Sequence, residues 1–165
     1  MTHRTPGLRL LFGVSLSALI ASCTSQPPDL AKATLPGIRF EPAPGWTIYA
    51  ADNGIVRLRK SNAEAIVDLA AHPPGSFESL VQQYSHVSVP SEVTEDTAIE
   101  IDGATARRIS FAGKRPDTGE PNAGMRYLVP RRSHAYVFEY LDAGPQIETN
   151  RKEAQGMIEG IRFEK

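Results

Sequence analysis

The chain has 165 residues, with 18 Lys and Arg against 19 Asp and Glu, four histidines and one cysteine. Residues 1–22 hold two of the arginines and no acid, which leaves 16 basic against 19 acidic side chains, a net charge of −3, in the other 143. That mild acidity argues against nucleic acid, which demands a basic surface; a lone cysteine excludes an internal disulfide, and the length suits one domain with its own core.

Taken in order, the first 22 residues have the layout of a secretory signal. Arg4 and Arg9 lead an apolar run from Leu10 to Ile20 that only Gly13, Ser15 and Ser17 interrupt. Its 11 residues are too few for a membrane-spanning helix, which needs roughly 20. No later stretch approaches that length. The run closes on Leu19-Ile20-Ala21-Ser22-Cys23, with small residues just ahead of the only cysteine. This resembles the lipobox of bacterial lipoproteins. The resemblance implies that the Cys23 thiol is lipidated and that residues 1–22 are removed. Ordinary cleavage would instead leave an exposed free thiol, which is reactive. Two or more acyl chains hold a protein stably on a membrane. Thr24 follows the cysteine where inner-membrane lipoproteins carry Asp. The resemblance therefore implies an outer-membrane anchor facing the periplasm in a Gram-negative host.

Residues 23–37 read as the lipidated cysteine and a flexible tether, since Thr24 to Gly37 contains three prolines and no apolar period. Fully extended, those residues reach roughly 45 Å. No run of basic residues accompanies them, so attachment is expected to rest on the acyl chains.

The folded domain is expected over 38–165. Ile38-Arg39-Phe40 reads as a short strand, Pro44-Gly45 as a turn, and Trp46 to Tyr49 as a second strand. Ile55 to Lys60 alternates, with Val56 and Leu58 on one face and Arg57 and Arg59 on the other. Ala63 to His72 continues the alternation after a Ser61-Asn62 turn, placing Ala65, Val67, Leu69 and Ala71 inward. Pro73-Pro74-Gly75 breaks the run and Ser76 can cap a helix. Phe77, Leu80, Val81 and Tyr84 then recur at helical spacing. Thr97 to Ile101 and Thr105 to Phe111 read as a hairpin around Asp102-Gly103. Gly113 to Gly124 reads as a long polar loop. Met125 to Pro130 and His134 to Leu141 form a last hairpin that turns at Arg131-Arg132-Ser133. Gln146 to Gly160 is a helix whose inward stripe is Ile147, Arg151, Ala154 and Ile158, with a Glu148–Lys152 pair on its surface. Ile161 and Phe163 close the chain on the core. Hairpin-linked strands with two helices give an α+β class, a mainly antiparallel sheet with helices packed on it.

The F-x-P-x-P-G-W stretch of Phe40, Pro42, Gly45 and Trp46, the Gly103-Ala104 pair and the closing Ile158, Ile161 and Phe163 resemble the PsbP-like fold. That α/β/α sandwich is shared by the PsbP protein of photosystem II, a eukaryotic Ran-binding import factor and bacterial lipoproteins of the DcrB and LpqN type. The resemblance covers about residues 38–163 and implies an accessory or binding module with no shared catalytic residues.

The chain lacks HExxH, GxSxG, SxxK and P-loop patterns, and a non-enzymatic domain without cofactor or metal is expected. Glu64, Asp68 and His72 share a strand face, yet the outer two are roughly 26 Å apart at full extension, too far for one ion. A solvated face explains them. His134, Tyr136, Phe138 and Tyr140 share one face of the aromatic strand and could line a ligand site, although ordinary core packing beneath a helix is the favoured account of them. Arg57, Arg59, Arg107, Arg108, Arg131 and Arg132 could dock an acidic partner if they converge; scattered, they keep strands soluble. The sequence thus points to a membrane-anchored envelope lipoprotein that binds another envelope protein or polymer. Its alternative is a carrier or sensor of a small apolar ligand held between sheet and helix.

Overall fold

The computed structural model describes residues 35–61, 63–84 and 91–164. The elements run β1 (Ile38–Arg39), β2 (Trp46–Asp52), β3 (Ile55–Lys60), β4 (Ile66–His72), α1 (Phe77–Tyr84), β5 (Ser91–Ile101), β6 (Ala104–Lys114), β7 (Pro121–Pro130), β8 (Ala135–Ala143), α2 (Ile147–Glu159) and β9 (Arg162–Phe163). Seven of the strands form one sheet in the order β2-β3-β4-β8-β7-β6-β5, while β1 and β9 pair as a separate ribbon. Every pairing is antiparallel.

Period-2 alternation fixes which side chains meet which helix. On one face Val56, Leu58, Val67, Leu69, Tyr127, Tyr136, Phe138 and Tyr140 are buried with Ala154, Met157 and Ile158 of α2. On the other, Leu80 of α1 packs against Ile109, Leu128, Ala135 and Val137. One helix per face gives the α/β/α sandwich. Leu35 is buried in the α2-side core, so packing begins inside the segment expected to be tether.

Turn chemistry sets the hairpins. Asp102 and Gly103 both take positive φ, 46° and 73°, and so do Asn53 and Gly54 at 49° and 75°. This is the backbone that a two-residue turn between right-twisted strands requires. Ser76 caps α1 as expected, its Oγ accepting from the Ser79 N–H at 3.2 Å.

Four local expectations are corrected. Gly113 to Gly124 is not a long loop: β6 continues to Lys114 and β7 starts at Pro121. Only Arg115–Glu120 connects them, closed by the Arg115 N–H to the Glu120 carbonyl at 2.9 Å. The strand wins because β8 offers ladder partners from Asn122 onward, and because Gly124 leaves room for the Phe111 ring. The second strand of the β3–β4 hairpin starts at Ile66 rather than Ala63. In α2 the residue that turns inward is Asn150, not Arg151. Arg151 instead reaches Glu148 at 2.6 Å, replacing the expected Glu148–Lys152 pair.

Candidate functional site

Cys23, the segment expected to be a signal and most of the expected tether lie outside the described residues, as does His86. The first described residues are anchored firmly. The Tyr136 hydroxyl donates to the Pro36 carbonyl at 2.9 Å, and the Glu164 N–H donates to the Gly37 carbonyl at 2.9 Å. Gly37 adopts φ 71°, and a Cβ there would lie 2.7 Å from the Tyr136 hydroxyl. Only glycine fits this approach.

The aromatic face of β8 is filled by its neighbours. Tyr136, Phe138 and Tyr140 are at most 1% exposed. Tyr136 stacks between Phe138 and Phe163, with ring centroids 5.9 and 5.4 Å away, and Trp46 meets Tyr140 edge-on. The Tyr140 hydroxyl donates to Asp142 Oδ2 at 2.8 Å, and the Asn150 amide donates to the same oxygen at 2.9 Å. Burial and the neighbouring Asp142 carboxylate raise the Tyr140 pKa, so this network stays a donor. His134 sits at the strand's mouth, half-buried beside Gly37 and 5.9 Å from the Tyr136 ring. The surface grooves open elsewhere. One of about 690 Å³ lies between Arg59, Lys60, Glu64 and Gly144, and one of about 650 Å³ lies beside Arg131 and Arg132.

The six arginines do not converge. Arg57, Arg59 and Arg107 project on the α1 side of the sheet, whereas Arg108 points to the α2 side and meets Glu159 at 3.1 Å. Acids on neighbouring strands engage three of them. Arg57 reaches Asp68 at 3.4 Å, Arg107 pairs with Asp96, and Arg108 reaches Glu95 at 2.7 Å. The Arg107 guanidinium holds the Asp96 carboxyl below the usual carboxylate range. Arg59 lies over the Tyr49 ring at 5.5 Å, and Arg131 over the Phe163 ring at 4.5 Å. Arg132 is exposed and makes no ion pair among the described residues.

A row of four charged residues across the middle of the sheet escaped the sequence reading. Arg57, Asp68, Glu139 and Arg126 stand side by side on β3, β4, β8 and β7. Arg126 is only 7% exposed; its guanidinium bonds Glu139 and also the Tyr84 carbonyl at the last turn of α1. An arginine is favoured there because it supplies several fixed donors and complements the helix C-terminus. His72 Nε2 lies 3.1 Å from the Tyr84 hydroxyl, and burial lowers the His72 pKa. Burial also raises the Asp68 pKa against the opposing pull of Arg57, and Asp68 Oδ1 is enclosed without a hydrogen-bond partner. Glu64, Asp68 and His72 therefore have separate partners, Arg115, Arg57 and Tyr84, and Asp68 and His72 are half-buried rather than solvated. Signals existed for Arg126: it is the one charge inside the apolar run Met125–Val129, at cross-strand register to Glu139. This row pins α1 to the sheet. Among the described residues no cluster of three His, Cys, Asp or Glu forms a metal site, and no helix is long and apolar enough to cross a membrane.

The antiparallel sheet with a helix on each face is a PsbP-like α+β fold. Solved structures carry the same arrangement. Cyanobacterial PsbP from Synechocystis is 15% identical with TM-score 0.54, over 77% of this chain and 86% of its own. LpqN of Mycobacterium tuberculosis, described as involved in cell envelope biogenesis, is 12% identical with TM-score 0.50, over 79% of this chain and 86% of its own. The Saccharomyces cerevisiae Ran-binding protein Mog1p is 8% identical with TM-score 0.54, over 77% of this chain and 90% of its own. The chain also spans about half, 48%, of a longer Bacteroides thetaiotaomicron protein. At these identities the likeness is one of fold. No protein-family model matches the chain, and no curated protein matches it in sequence.

Proposed function

We propose that this protein is a bacterial envelope lipoprotein, held on a membrane through lipidated Cys23, whose PsbP-like domain is a non-enzymatic accessory module for another envelope component. The observation that carries this is a lipobox-like Leu19–Cys23 segment on the same chain as a PsbP-like fold. The envelope role described for LpqN and the Ran binding described for Mog1p support a fold suited to contacts with other molecules. Several polar groups of the described core support it too, because they engage one another: Tyr140 with Asp142, Arg126 with Glu139, Trp46 with Glu153. The space between sheet and α2 is filled by Tyr136, Phe138 and Tyr140, which favours a surface-binding role over a ligand carrier. In a Gram-negative host the reading assigns the outer membrane, facing the periplasm.

The test is the intact mass of membrane-extracted protein, with a Cys23→Ser variant fractionated alongside. A mature species starting at Cys23 with diacylglyceryl mass, and a variant that is unprocessed or released, is the expected result. A soluble, unmodified wild type overturns the anchor. Crosslinking in intact envelopes should then enrich a reproducible partner, and repeated absence of one overturns the accessory role.

A further inference from the structure

One end of the sheet gathers arginines that the sequence keeps far apart. Arg39 of β1, Arg131 and Arg132 of the β7–β8 turn, and Arg162 of β9 all border the point where the chain enters the described fold. The link is direct, because the Arg131 guanidinium lies 4.5 Å from the Phe163 ring centre, and Phe163 pairs with Ile38 one residue past Gly37. Two acids partly balance them. Glu164 meets Arg39 at 3.1 Å, and Asp102 lies 3.9 Å from Arg162 while it accepts the Phe163 N–H at 2.8 Å. Glu100 stands opposite Thr105, and Glu41 follows Arg39 by two residues. Arg131 and Arg132 form no ion pair with any described residue. They line an open groove of about 650 Å³ together with Gly75, Ala104, Thr105 and Ser133. Stacking on Phe163 holds Arg131 in place, which reduces the ordering cost of a guanidinium–phosphate contact.

We propose that this end docks on the anionic phospholipid headgroups of the membrane that holds Cys23, with Arg131 and Arg132 engaging headgroup phosphates. The proposal rests on the lipid anchor proposed above. Geometry and charge argue together for this occupant. Residues 24–34 separate Cys23 from Leu35, a reach of about 40 Å at most, so the entry point of the fold is the end an anchor holds nearest the bilayer. At that end Arg131 and Arg132 carry positive charge that no ion pair with a described residue offsets, whereas Arg39 and Arg162 are met by Glu164 and Asp102. In the β6–β7 turn at the opposite end the arginine is spent, because Arg115 pairs with Asp117 at 3.1 Å and with Glu64 at 2.7 Å.

The experiment uses the full lipidated protein in vesicles, with Ser133→Cys labelled by an environment-sensitive fluorophore and Thr118→Cys as the far-end control. Vesicles are phosphatidylcholine alone or phosphatidylcholine containing phosphatidylglycerol. The Ser133 probe should enter the headgroup environment on anionic vesicles only, and leave it as salt shortens the screening length toward about 3 Å. The Thr118 probe should not respond. Arg132→Ala, which removes an exposed side chain, should lower the ratio of docked to free domain roughly fivefold, since each arginine near such a surface contributes about 1 kcal/mol. Equal signals on both vesicle types, or no effect of Arg132→Ala, overturn the proposal. A Ser133 response to a soluble anionic polysaccharide without one to vesicles also overturns it and assigns the groove to an envelope polymer. Intact mass of the unlabelled protein reports the anchor independently. If Cys23 proves bare, the labelling is repeated in a Cys23→Ser background; a Ser133 response to anionic vesicles there sustains the groove while the anchor fails.

Discussion

Two carboxylates with opposite pKa shifts show how single residues tie pH to stability. Glu153 accepts from Lys60 and from the Trp46 indole, and the Lys60 bond, foremost, holds its pKa below the ordinary 4.5. A depressed carboxylate stabilises the fold above its unfolded pKa and loses that contribution as pH falls through the folded value. Glu153→Gln should therefore lower Tm at neutral pH, and the gap to wild type should close as pH drops below about 4.5. Asp68 runs the other way. Its pKa is raised above 3.8, mainly by burial, so its charged form costs stability at neutral pH. Asp68→Asn should raise Tm at pH 7, by less than about 1 kcal/mol in stability, and the gain should fade on acidification as wild-type Asp68 takes up its proton. Thermal scans over a pH series check both. A gap that ignores pH would mean that packing, not charge, dominates either site.

Among the elements, β7 is the one whose sequence misleads most. Pro121 and Gly124 read as loop residues, yet Pro121 begins the strand, where a missing N–H is tolerated. Gly124 is needed because Phe111 on β6 lies over its Cα. A Cβ would stand 2.3 Å from the Phe111 ring and 2.6 Å from the Tyr140 carbonyl. Gly124→Ala should cost about 2–3 kcal/mol by overpacking, read as a lower denaturant midpoint with unchanged slope. A loss under about 0.5 kcal/mol would mean that the ring swings clear. The helices were legible for local reasons: α1 from its Ser76 cap and the Phe77, Leu80, Val81, Tyr84 stripe, and α2 from Ala154 and Ile158. Asn150 was not, since a polar residue turns inward only where a partner such as Asp142 waits on another element.

The whole molecule is closed by its ends. Ile38 pairs with Phe163, and Leu35, Ile161 and Phe163 complete the core beneath Trp46 and Tyr136. Ile161 is wholly buried. Its truncation in Ile161→Ala should cost about 2–5 kcal/mol, and it should loosen the N-terminal attachment as well, because Phe163 and Glu164 hold Ile38 and Gly37 in place. Limited proteolysis should then cut near residues 35–38 faster in the variant. Cutting that stays unchanged while stability falls would show that the two termini are energetically independent.

By itself the sequence determined what depends on neighbours in the chain. The small-residue approach to Cys23, the alternation of β3 and β4, the Asp102-Gly103 turn, the Ser76 cap and the aromatic face of β8 are all local patterns. Each is set by backbone sterics or by a period of 2 or 3.6. The Asn53-Gly54 turn belongs to the same kind and was there to be read. Only the tertiary structure decided which distant residues meet. It set Arg126 against Glu139 and the end of α1, engaged Arg57, Arg107 and Arg108 with acids across the sheet, and gathered Arg39, Arg131, Arg132 and Arg162 at the end where the chain enters. A charge's role depends on whether an opposite charge lies within a few ångströms, and strand register, not sequence spacing, fixes that distance.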